Sequence, residues 1–105
     1  MVIANANAGI QTAFDPKVVG EQCRKQAIIL DSLSRYQDRA LCSTNLDGGK
    51  VYFASQYILA NRNADAKALL DVVMIQIKFA IDIGCYGQAD MKDALGDIQR
   101  IRDSL

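Results

Sequence analysis

At 105 residues the chain has room for a single hydrophobic core. Half of its residues are hydrophobic and 23% are charged, the balance of a globular protein and not of a disordered one. Its 12 basic and 12 acidic side chains cancel, so it lacks the basic excess that a general phosphate binder carries, and copies repel one another weakly.

The opening MVIANANAGIQTA mixes small and polar residues with isolated aliphatics. It has neither a basic start nor a long apolar stretch, so it does not read as a secretory leader. Residues 1–14 are expected to form a flexible N-terminal arm and residues 15–105 a single helical domain. No apolar run approaches the roughly 20 residues that span a bilayer, and a cytoplasmic location is expected.

Helical grammar begins at Phe14-Asp15-Pro16. Asp15 suits an N-cap, Pro16 suits the first helical position, and Phe14 with Val19 suits a hydrophobic staple. The first helix is predicted over 15–42. Val18, Val19, Cys23, Ile29, Leu30, Leu33 and Leu41 gather on one side of it, and most of the charges on the other. Ile28 interrupts the charged side and is a candidate contact.

Ser43 to Lys50 is rich in turn formers. The run VYFASQYILA then packs Tyr52, Phe53, Tyr57, Ile58 and Leu59 closely together. Strand and helix compete over residues 51–60, and helix is the better reading, over 50–61. Asn61 and Asn63 suit a stop and a new start.

A third helix is predicted over 64–84. Ile75, Ile77, Phe79, Ile81 and Ile83 alternate with other residues as a strand would. However, Lys67, Asp71, Lys78 and Asp82 fall at spacings of about four, seven and four, which stacks them on one helical stripe. A strand would divide them between two faces. Lys67 with Asp71, and Lys78 with Asp82, are expected as i,i+4 pairs. Beyond that thin stripe the helix is apolar, so its other sides need neighbours. Gly84 and Gly87 can end it, and Asp90 is expected to cap a fourth helix over 90–104. The expected fold is all-α, a compact bundle of about four helices that pairs as a dimer.

The chain has no histidine, which removes Ser-His-Asp triads, Cys-His pairs and imidazole metal ligands. Cys23, Cys42 and Cys85 are odd in number, without paired spacing, and read as reduced structural thiols. Cys23 is expected to be buried, Cys42 to face the polar side of the first helix, and Cys85 to sit in an exposed turn. Asp47-Gly-Gly-Lys50 lacks the frame of a phosphate loop. Neither a cofactor nor a metal is indicated, and the chain does not read as an enzyme.

The leading expectation is therefore a non-enzymatic protein–protein interaction module: an adaptor, a client-specific chaperone, or an inhibitory or immunity-type partner. Ile28, Tyr52, Phe53 and Tyr57 are its candidate contacts. One alternative is a nucleic-acid-binding regulator using Arg24, Lys25, Arg35 and Arg39 on phosphate, against which the zero net charge counts. Another is a small-ligand or cofactor carrier with a pocket among the tyrosines and Cys85.

Overall fold

The computed structural model describes residues 14–105, so all of the expected N-terminal arm except Phe14 lies outside the described residues. The described chain is all-α: α1 Pro16–Arg35, α2 Ala40–Asn45, α3 Gly48–Leu59, α4 Asn63–Asp82 and α5 Gln88–Ser104. There is no strand among the described residues, which settles the alternating run around Ile75 and the aromatic run around Phe53 as helix.

The four long helices form a ring in which α1 touches α3, α3 touches α4, α4 touches α5, and α5 closes on α1. Two of the chain reversals are local. At the end of α3, Asn61 adopts φ 60°, with Asn61 N–H donating to the Ile58 carbonyl and Arg62 N–H to that of Tyr57. The end of α4 repeats this geometry with Gly84 at φ 78°, where Gly84 and Cys85 donate back to Ile81 and Ala80. Both are left-handed terminations that satisfy otherwise orphaned carbonyls.

Helix starts follow local chemistry in two of the four long helices. The Asp15 carboxylate accepts from Lys17 N–H at 3.0 Å with Pro16 behind it, as expected. Asp47 does the same for Lys50 N–H at 3.1 Å, so α3 begins at Gly48, two residues before its predicted start. Asn63 is the first helical residue of α4, and Arg62 holds the cap position. The start of α5 also differs from the prediction. Gly87, at φ 86°, is its N-cap, and Asp90 lies inside the first turn, where it favours the helix dipole.

The core contains Leu30, Leu46, Ile58, Leu70, Ile77, Met91 and Ile98, all essentially without solvent contact. At two places α1 and α3 approach closely, and at Gly48 only glycine fits. A Cβ on Gly48 would stand 2.5 Å from the Ala27 carbonyl oxygen, and one on Gly20 would stand 2.9 Å from the Leu59 side chain. Between these points Cys23 donates its thiol to the Val51 carbonyl at 3.4 Å.

The first helix ends at Arg35, seven residues short of the predicted limit, although no proline or glycine stops it. What ends it is tertiary. The Gln37 side chain accepts from Tyr86 N–H at 3.0 Å and donates to the Tyr86 carbonyl at 2.8 Å. Arg39 donates to the Ile83 carbonyl at 2.9 Å. After this break, α2 turns its one buried residue, Cys42, inward, where it is disulfide-bonded to Cys85 with Cα atoms 5.7 Å apart. Cys42 has no solvent exposure and Cys85 only 3%. The expected reduced thiols, polar-facing Cys42 and exposed Cys85 are thus corrected. Those expectations assumed an unbroken helix through residue 42, which would have pointed Cys42 away from the turn after α4. Cys23 is free and buried, as expected.

Candidate interaction surface

Three of the four candidate contacts come together. Ile28 on α1 and Tyr52 and Phe53 on α3 line one groove of about 370 Å³ where the two helices converge. Gly48 is also in its lining, and its missing side chain lets α3 lie against the backbone of α1. The Tyr52 and Phe53 rings meet edge to face with centroids 6.1 Å apart. Ile28 is 58% exposed and Phe53 61%, too much for core residues. The rim carries both signs, each paired within its own helix: Arg24 with Glu21 at 3.5 Å and Asp31 with Arg35 at 2.7 Å.

Tyr57 is not part of this groove. It is half-buried against the core, and the Arg62 guanidinium lies 4.8 Å from its ring centroid, a cation–π contact at the end of α3. Its place in the set was a consequence of helical spacing alone. Tyr86 is tied to Gln37 in the turn beyond α4, so Tyr52, Tyr57 and Tyr86 occupy three separate places. Cys85 carries no free thiol.

The four basic candidates do not form a track. Arg24 and Arg35 hold acidic neighbours, and Arg39 is turned onto the Ile83 carbonyl. Lys25 lies at the other edge of α1, beside the α1–α5 seam. Gln26 bridges that seam by donating to Asp97 at 3.2 Å, while its buried carbonyl oxygen has no partner. Among the described residues no cluster of three His, Cys, Asp or Glu side chains could hold a metal ion.

Four groups depart electrostatically from the ordinary: Cys23, Asp47, Asp71 and Arg102. Burial pushes the Cys23 thiol up to about 12, so it is not a nucleophile in the folded protein. A hydrogen bond from Arg102, at 2.8 Å on Nε, holds the Asp71 carboxyl below its usual range. Asp71 was expected to pair with Lys67 along its own helix, and instead it links α4 to α5.

A second apolar surface was not named from the sequence. Ala68, Val72, Ile75 and Phe79 all face solvent along the outer side of α4, and Ile75 is 67% exposed. The residues α4 buries, Ala66, Leu70, Val73, Met74, Ile77 and Ala80, point the opposite way. Its signal in the sequence was the thinness of the polar stripe on this helix, which left two apolar sides with no means of telling which one the bundle would cover. No known protein family, curated protein or solved structure matches the chain.

Proposed function

We propose that the protein is a non-enzymatic helical interaction module, acting as an adaptor, a client-specific chaperone or an inhibitory partner, and that it also associates with itself. The observation that carries this reading is the groove formed by Ile28, Tyr52 and Phe53. It presents large apolar side chains between rims of paired charge, which suits an amphipathic helix from a protein partner. Catalysis has little to build on, since the chain has no histidine and its one free thiol is buried and protonated. Phosphate recognition is weakly served by cations already engaged within the chain.

No helix among the described residues is long and apolar enough to cross a membrane. The Cys42–Cys85 bond bears on the compartment, because reducing cytosol keeps such thiols open. It favours an oxidising environment over the cytoplasmic one expected from the sequence.

The test uses Ile28→Asp and Phe53→Asp, both at side chains largely in solvent, so helicity by circular dichroism should not change. A partner retained by the wild-type protein from its host should be lost by both variants. If both variants keep it, the groove is not the binding surface. Tyr57→Asp is a poor probe, because it would strike the core.

A further inference from the structure

We infer that the outer face of α4 is a two-fold interface at which two copies of this chain pack with their α4 helices antiparallel. This rests on the reading of the protein as an interaction module, and it supplies the geometry of self-association. At about 100° per residue, Ala68, Val72, Ile75 and Phe79 fall within roughly 40° of one line, opposite the buried side of the helix. Their spacing of four, three and four is that of a two-helix seam.

The charges say what covers this seam. Lys67, Asp71, Lys78 and Asp82 all lie along one flank of it. Lys67 and Asp82 are equidistant from the midpoint between Met74 and Ile75, and so are Asp71 and Lys78, with the sign reversed across that point in each case. An antiparallel pair related by a two-fold axis brings the charged flanks together in opposite order. Lys67 then faces Asp82 of the second copy, and Lys78 comes level with Asp71, which stays bonded to Arg102 of its own α5. The same axis brings Ile75 within one residue of level with its own counterpart and Val72 within two residues, about 3 Å, of level with Phe79. A parallel pair would instead place each charged flank against the flank carrying Leu69 and Gln76. The pattern is therefore complementary to itself in one orientation only.

A single helix face buries less than the ~800 Å² per partner of a typical stable interface, so the dimer should dissociate within an accessible dilution range. The experiment is light scattering on the eluting full chain across such a series. Lys67→Asp and Asp82→Lys should each shift the monomer–dimer midpoint upward by about tenfold or more, because each turns two symmetric attractions into repulsions. The double variant Lys67→Asp/Asp82→Lys should restore it. Those residues are about 22 Å apart on one helix, so only a second copy can mediate the rescue. Asp near the start and Lys at the end of α4 both suit its dipole, so folding is not at risk. Ile75→Glu, at the most exposed position of the seam, should abolish the dimer. A monomer at every concentration, a dimer indifferent to Ile75→Glu, or a double variant as weak as the single ones would each overturn the proposal. None of these results would touch the groove between α1 and α3, whose own test reads a different partner.

Discussion

Replacing both cysteines of the disulfide, Cys42→Ala/Cys85→Ala, should cost this protein a large share of its stability. The bond closes a loop across a sequence separation of 43, between a short helix and the turn after α4. In the chain-entropy account, a loop of that length removes enough freedom from the unfolded chain to stabilise the fold by ~4 kcal/mol at 25 °C. The total for a domain of this size is about 5–15 kcal/mol, so the loss is a substantial fraction of it. For a domain near 100 residues, each kcal/mol corresponds to about 4–8 °C in Tm, which puts the expected drop at roughly 15–30 °C. Thermal melts followed by far-ultraviolet circular dichroism, paired with urea titrations, measure both quantities. Counting thiols checks the premise: none should react in the folded protein, because Cys23 is buried and its thiol is protonated. Unfolding without reductant should release one reactive thiol of the three in the chain, and adding reductant should release all of them. Three thiols without reductant, or a double variant within about 1 kcal/mol of the wild type, would refute the reasoning.

Gly48→Ala should destabilise by about 1–3 kcal/mol in urea, because its Cβ would be driven against the backbone of α1. Gly96→Ala should do the reverse, adding ~0.5–1 kcal/mol, since the nearest atom to its new Cβ is the flexible end of Arg100 at 3.7 Å and α5 gains helix propensity. Asp47→Ala should cost ~1 kcal/mol by removing the cap of α3. Burial works to raise the Asp47 carboxyl, but hydrogen bonds from the Lys50 side chain and backbone outweigh it and leave the pKa lowered. A lowered folded pKa means that the contribution is present above the unfolded value of about 4 and is lost as pH falls through the folded one. Asp47→Asn should therefore flatten the acid limb of the stability–pH curve below about pH 4 and leave its slope near neutrality unchanged. A variant curve parallel to the wild-type one would show that Asp47 is not among the titrating groups.

By itself the sequence determined the fold class and most of the helix ends, because those depend on neighbours a few residues away. Asp15 and Pro16 start α1 by satisfying and pre-shaping its first turn. Asn61 and Gly84 end helices by adopting backbone angles that other residues resist. The charges from Lys67 to Asp82 marked α4 as helical because only that period stacks them. Ile28 stood out as an apolar residue on a charged face, and it is exposed beside Tyr52 and Phe53.

Only the tertiary structure decided what depends on residues far apart in the chain. The break after Arg35 is made by Gln37 and Arg39 bonding to backbone some 44 to 49 residues away, and nothing local announces it. That break also turns Cys42 inward toward Cys85, so the thiol pairing could not be read from spacing along a helix taken to be continuous. On α4, periodicity shows two apolar sides but not which of them the other helices will cover. Four helices arranged in a ring bury one side of each member, and for α4 the side left outside carries Val72, Ile75 and Phe79.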